Sequence, residues 1–200
     1  MFIIEGNIGS GKSTLLSSLQ KKGFHTLQEP VDSWTNFKDS SGKSLFSSFY
    51  DDPKQYCFSF QMYVLLTRLQ NMLKANTNSI CERSIFTDVF IFAKCLYDTK
   101  LLNDFEYSII KQWYDQILNT NKFKIQGIIY LQVDPTICFQ RIYERKRDSE
   151  DNIDIDYLTI IHENHERWLN NTNKNVIIVN DNDETAINKI IEFIQNNNEI

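Results

Sequence analysis

The stretch Gly6-Asn7-Ile8-Gly9-Ser10-Gly11-Lys12-Ser13-Thr14 fits the phosphate-binding pattern G-x-x-x-x-G-K-[ST]. Glycines at these spacings let backbone N–H groups converge on phosphate oxygens, and a helix opening at Lys12 adds partial positive charge at the same point. Lys12 is suited to reach the terminal phosphates of a nucleoside triphosphate, and the Ser13 hydroxyl to ligate Mg²⁺. Phosphoryl transfer also needs a base or orienter for the nucleophile and cations for the developing charge. Glu29, with Pro30 directly after it, is the candidate base that accepts an acceptor hydroxyl's proton. Glu82 is placed to hold Mg²⁺ beside Ser13, and Arg83 offers a planar fork to a carboxylate or a phosphate.

A second cationic group is Arg141, Arg145 and Arg147. The first two share a helix face at i, i+4 spacing, and Asp148, Glu150 and Asp151 follow. Spacing leaves two readings open: basic residues complementing a helix C-terminus, or a lid whose arginines close on donor phosphates and exclude water. The segment after Pro53 carries Tyr56, Phe58, Phe60, Tyr63 and Leu65, core by default, among which Gln61 and Arg68 stand out. Polar groups on an apolar helix usually have a defined partner, and a planar base read by an amide between aromatic rings would be one.

These residues need strands and helices to carry them. Phe2-Ile3-Ile4 reads as a buried strand, and Leu15, Leu16 and Leu19 mark one apolar helix face after the glycine loop. Strands are expected at Phe2–Glu5, His25–Glu29, Ser79–Glu82, Ile125–Val133 and Asn175–Val179. Helices are expected from Lys12, from Pro53 to about Ala75, and over Ser84–Tyr97, Asp104–Leu118, Pro135 to about Arg145, Ile155–Leu169 and Glu184–Gln195, with a frayed tail from Asn196. Alternation of this kind predicts an α/β fold, a parallel sheet of about five strands with helices on both faces. Ligands collect beyond the carboxyl ends of such strands, where the glycine loop, Glu29 and Glu82-Arg83 would meet.

The 200 residues suit one domain. A net charge of −5 argues against a nucleic-acid polymer or an anionic membrane as partner. Cys57, Cys81, Cys95 and Cys138 form no C-x-x-C pair and read as buried, reduced thiols. No apolar run is long enough to span a bilayer, and a strand expected from Phe2 leaves no room for a targeting peptide. A cytoplasmic location is the expectation. His162-Glu163-Asn164-His165-Glu166 lacks H-E-x-x-H spacing and reads as a solvated helix face. Asp39-Ser40-Ser41-Gly42 matches D-x-x-G, but no N-K-x-D accompanies it, which disfavours a GTP switch.

Taken together, the residues resemble the deoxynucleoside kinase family, whose members have a P-loop kinase fold, from the glycine loop to the helix ending near Trp168. Glu29-Pro30-Val31-Asp32-Ser33-Trp34 is similar to the family's E-P-V-x-x-W, which implies Glu29 as catalytic base and Trp34 in the nucleoside pocket. Tyr50 resembles the tyrosine that touches the sugar 3′-hydroxyl, and Phe60-Gln61 the pair whose glutamine grips the base. Glu82-Arg83-Ser84 resembles the E-R-S motif, with Glu82 near the metal and Arg83 steadying the 5′-hydroxyl and Glu29. Phe92 falls where the family stacks an aromatic on the base. Arg141-x-x-x-Arg145-x-Arg147 resembles the lid, spanning about 141–153, with Glu150 as the carboxylate that reaches the 3′-hydroxyl. Arg68 and Asp88 resemble a pair typical of the deoxycytidine and deoxyguanosine branch, which implies cytosine or purine deoxynucleosides in preference to thymidine. Lys146 departs from the lid's usual glycine, and Val64 is bulkier than its counterpart in the cytidine branch. The resemblance implies 5′-phosphorylation of deoxynucleosides by ATP with Mg²⁺, in a homodimer. A nucleoside monophosphate kinase of the same fold is the nearest rival, and would need arginines for an acceptor phosphate in place of Tyr50 and Glu150.

Overall fold

The computed structural model describes residues 1–120, 123–145, 150 and 153–198. Its sheet is organised about β1 (Phe2–Gly6), every residue of which is buried. The other strands are β2 (Thr26–Leu27), β3 (Ile80–Glu82), β4 (Gly127–Leu131) and β5 (Val176–Val179). All pair in parallel, in the order β2-β3-β1-β4-β5. Side chains alternate along each strand, and the core is accordingly double. Ile3, Cys81, Ile128 and Tyr130 face one apolar cluster, while Phe2, Ile4, Ile80, Ile129 and Leu131 face the other. The second cluster is covered by α1 (Lys12–Lys21), α8 (Pro135–Arg145) and α10 (Glu184–Asn198), which bring Leu15, Leu16, Leu19, Cys138, Ile142, Ile187 and Ile190.

The first cluster is covered by α2 (Val31–Asn36), α3 (Leu45–Asp51), α4 (Pro53–Met72) and α7 (Asp104–Thr120). Helix α4 starts where chemistry dictates: Asp52 accepts from the Gln55 N–H at 3.2 Å, and Pro53 fills the first turn, where no N–H is needed. The Ser44 hydroxyl caps α3 by accepting from the Ser47 N–H at 3.1 Å. After β3 the chain runs through α5 (Ile85–Thr87), a π-helical turn (Asp88–Ala93) and α6 (Lys94–Asp98). Helix α9 (Ile155–Asn170) packs against both α8 and the π-helical turn.

Several expectations need correction. The second strand stops at Leu27 instead of reaching Glu29. It is an edge strand, and Pro30 has no N–H with which to continue a ladder. The short helices α2 and α3 lie where none was expected. Helix α10 continues through Asn198, with the Asn197 amide donating to the Phe193 carbonyl at 2.8 Å, so the tail from Asn196 is helical as far as it is described. The expected single helix over Ser84–Tyr97 contains a π-helical turn.

Candidate functional site

Beyond the carboxyl ends of β1 and β3 opens one continuous cavity of about 970 Å³. Its floor is the loop from Gly6 to Gly11. Gly9 has φ +79°, and a Cβ there would stand 2.5 Å from the Cys138 carbonyl oxygen of α8. Only glycine allows α8 so close, and that approach brings Arg141 to the loop, where its Nη1 donates to the Ser10 carbonyl at 3.0 Å. Asn7 closes the other side, its Nδ2 donating to the Leu158 carbonyl of α9 at 2.8 Å. Lys12 donates from Nζ to the Asn7 carbonyl at 2.6 Å. Burial lowers its pKa to about 8, helped by the neighbouring Arg83 charge and opposed by Glu82, Glu29 and Glu5.

Ser13 Oγ donates to Glu82, lying 3.0 and 3.2 Å from its two carboxylate oxygens. This is a pair of hard oxygen ligands at the mouth of the phosphate loop, a donor set that fits Mg²⁺, which takes few protein ligands and completes its shell with water and phosphate oxygens.

Glu29 hangs past the end of β2 into the same cavity. Its Oε1 accepts from Arg68 Nη2 at 2.6 Å and lies 3.4 Å from Arg83 Nε. Burial alone would raise the Glu29 carboxyl, but Arg68, Arg83 and Lys12 outweigh it and hold the pKa down at about 2. All three nitrogens of Arg68 are engaged: Nε with both oxygens of Asp88 at 3.3 Å, Nη2 with Asp88 at 3.2 Å and with Glu29, and Nη1 with the Glu82 carbonyl at 3.2 Å. Arg68 also sits over the Trp34 ring, 5.5 Å from its centroid. Asp88 is buried behind Arg68 and is not among the residues that line the cavity. Burial pushes its carboxyl up to about 6 against the pull of Arg68.

Arg83 is held in the left-handed region at φ +61°, where a residue with a Cβ is strained by about 1–3 kcal/mol. Its guanidinium lies 4.8 Å over the Phe92 ring, and its buried Nε and Nη1 have no hydrogen-bond partner among the described residues. Buried donors without partners are rare enough to need an explanation, and a ligand oxygen supplies one. The far end of the cavity is walled by Trp34, Phe46, Phe49, Phe60 and Val64. Within this wall Gln61 is buried with its amide oxygen unpartnered, the acceptor half of a base-reading amide.

Tyr50, Arg145 and Glu150 also line the cavity. Arg145 pairs with Glu150, its Nε donating at 2.8 Å. Burial, then the charges of Glu150 and Glu29, push the Tyr50 hydroxyl above its ordinary pKa, so the phenol stays protonated. Arg147 and Lys146 lie outside the described residues, as does most of the expected lid after Arg145. Of the remaining expected site residues, Ile8, Gly11 and Thr14 line the cavity, while Gly6, Asn7 and Ser10 support the loop from beneath. Phe46, Phe49 and Tyr157 line the cavity without having been singled out. Phe46, Phe49 and Tyr50 stand at i, i+3 and i+4, a helical signal that the short, serine-broken α3 obscured. Nothing local distinguishes Tyr157.

The arrangement can hold a polyphosphate on the loop, a planar group beside Gln61, and an ionised carboxylate between them. Comparison with known proteins gives the family. The profile of the deoxynucleoside kinase family matches residues 2–200. The chain is 37% identical to a probable deoxycytidine kinase of Fowlpox virus (strain NVSL), over 86% of this chain and 72% of that one. It is 32% identical to the deoxycytidine kinase of Homo sapiens, over 83% and 74% of the two chains. It is 33% identical to the mitochondrial deoxyguanosine kinase of Xenopus laevis, over 83% and 71%. A nucleotide-gripping loop joined in one cleft to an amide-lined aromatic slot, together with a family match along almost the whole chain, identifies this protein as a phosphotransferase of the deoxynucleoside kinase family.

Proposed function

We propose that the chain transfers the γ-phosphoryl group of ATP to the 5′-hydroxyl of a deoxynucleoside carrying cytosine or a purine, in preference to thymidine. The observation that carries this reading is the continuity of one cavity, with Lys12 and Ser13 at one end, the unpartnered Gln61 amide oxygen at the other, and Glu29 between them. The donor's phosphates lie on the loop under Lys12, Arg141 and Arg145, and the family resemblance adds Arg147 as a further phosphate-binding residue. Glu29 orients the 5′-hydroxyl and accepts its proton, a role that a carboxylate held ionised down to about pH 2 can fill throughout the working range. Arg83 offers its unpaired N–H groups to the reacting oxygen and to Glu29. Tyr50 and Glu150 hold the sugar 3′-hydroxyl, Trp34, Phe60 and Phe92 enclose the base, and Gln61 reads its edge. Arg68 and Asp88 set the preference against thymidine. Ser13 and Glu82 hold Mg²⁺, which when bound with ATP neutralises phosphate charge.

At the acceptor end Arg68 is engaged by Asp88, Glu29 and the Glu82 carbonyl, and the wall presents an amide and aromatic rings, which favours a nucleoside over its monophosphate as acceptor. We further propose a cytoplasmic homodimer. Four buried free thiols suit a reducing compartment. No helix among the described residues is long and apolar enough to cross a membrane. Helix α7 exposes an apolar stripe, Phe105, Ile109 and Trp113, and Leu66 of the neighbouring α4 and Leu73 at its C-cap are exposed as well, apolar surface that a second copy can cover.

A steady-state panel of the four deoxynucleosides and their monophosphates with ATP and Mg²⁺ tests the reading. Deoxycytidine or a purine deoxynucleoside is expected to give the highest kcat/KM. A preference for thymidine overturns the base assignment, and faster turnover of the monophosphates overturns the acceptor assignment.

A further inference from the structure

Helix α9 is bonded both to the donor loop and to the π-helical turn, although Tyr157 is its one residue that lines the cavity. Near its start the Leu158 carbonyl receives the Asn7 amide of the donor loop at 2.8 Å. Less than two turns later, Asn164 meets the π-helical turn that carries Phe92. Asn164 is 3% exposed and His165 fully buried, so the run His162–Glu166 is not the solvated helix face expected from its sequence, and Asn164 is a buried amide on a helix. Its Nδ2 donates to the Ile91 carbonyl in the π-helical turn at 3.2 Å, and its Oδ1 accepts from Arg167 Nη1 at 2.9 Å.

The carbonyl it grips belongs to the peptide unit joining Ile91 to Phe92. That turn carries Phe92, stacked on the Arg83 guanidinium, and Asp88, bound to Arg68. A π-helical turn departs from the ordinary i→i−4 ladder, and such departures gather at functional sites where side chains must be re-aimed. An external donor on one of its carbonyls fixes the re-aimed turn. Ile91 itself is fully buried against Ile161 of α9, so the amide and the apolar contact act on the same peptide.

We propose that Asn164 is a positioning residue for the nucleoside pocket: by holding the Ile91–Phe92 peptide it sets the ring of Phe92 against Arg83 and the base. It touches no substrate and has no part in donor binding. The inference rests on the functional reading above and adds to it the group that holds the base-stacking wall in place.

The test uses the full chain and the deoxynucleoside that it turns over fastest. Asn164→Leu keeps the volume and removes the amide; Asn164→Asp keeps shape and polarity and removes the donor. Each is expected to raise the nucleoside KM about tenfold, the scale of one lost buried hydrogen bond. The KM for ATP and kcat should stay within about twofold of the parent values. A purely structural loss would instead reduce the active fraction, hence apparent kcat, and leave both KM values alone. Because the effect passes through Phe92, Asn164→Leu should add little in a Phe92→Ala background. Where the leucine variant does not fold, Asn164→Ser, which water can complete, is read in its place. Folded variants with an unmoved nucleoside KM, or with both KM values raised alike, overturn this inference alone. A parent chain inactive on all four deoxynucleosides overturns the functional reading and this inference with it.

Discussion

Glu29, Arg68, Asp88 and Arg83 form two carboxylates and two guanidinium groups packed within ion-pair distances at the edge of the sheet. Each pair offsets a desolvation cost that neither partner could bear alone. If Glu29 is the base, Glu29→Gln keeps the hydrogen bond to Arg68 and loses the proton acceptor. Turnover should fall about 10²–10⁴-fold with nucleoside binding preserved, measured by steady-state kinetics and by calorimetric titration. Arg68→Leu leaves Asp88 buried without its partner, and should destabilise the fold by about 3–5 kcal/mol in urea melts. The double variant Arg68→Leu with Asp88→Leu should recover most of that loss, because Asp88 is no longer orphaned and Glu29 keeps Arg83. Lys12 supplies a pH prediction. Its ammonium, lowered to about 8 by burial in the free protein, loses its proton as pH rises through that value. The neutral amine attracts phosphate less, so kcat/KM for ATP should fall above about pH 8. The profile of kcat should lack that limb, since bound phosphates hold the ammonium charged.

At the scale of elements, the donor loop and the π-helical turn are both places where backbone geometry departs from the regular pattern so that side chains can converge. Gly9 is the tightest point, with its missing Cβ taken by the Cys138 carbonyl. Gly9→Ala should therefore push α8 away, weaken ATP binding, and cost about 1–3 kcal/mol as an overpacked contact. Gly23 is the control: its φ is +94°, but nothing lies within 4 Å of its absent Cβ. Gly23→Ala carries the backbone strain alone and should leave the KM for ATP unchanged. Comparing the two variants by thermal melts and ATP titration separates crowding from strain.

At the scale of the whole molecule, both faces of the sheet are covered, and among the described residues the most exposed large apolar side chain is Phe105 on α7, a helix with no residue lining the cavity. Phe105, at 82% exposed, and Trp113, at 54%, are costly to leave in water. Trp113→Glu should convert a dimer to a monomer in light scattering after size exclusion, leaving the monomer folded because the residue contributes little to the core. An unchanged mass, or a parent chain that is already monomeric, would remove α7 from any self-association.

The local pattern was enough for the glycine loop, the two-faced sheet and most helices, because each rests on interactions between near neighbours: the loop's glycines, the run Phe2-Ile3-Ile4, the 3.6-residue spacing of Leu15, Leu16 and Leu19. Gln61 stood out as a polar group on an apolar helix, and the resemblance added Trp34, Tyr50 and Glu150, which recur in motifs whose parts lie far apart in the chain. Other features had no local signal. The end of β2 at Leu27, α2, the π-helical turn and the bond from Asn164 to Ile91 all depend on which segments meet after folding. Arg68 is the sharpest case. From sequence it is a cation on an apolar helix; only tertiary structure, by burying it between Glu29 and Asp88, decides that its charge is spent inside the protein, because a guanidinium removed from water must find carboxylates wherever the fold has brought them.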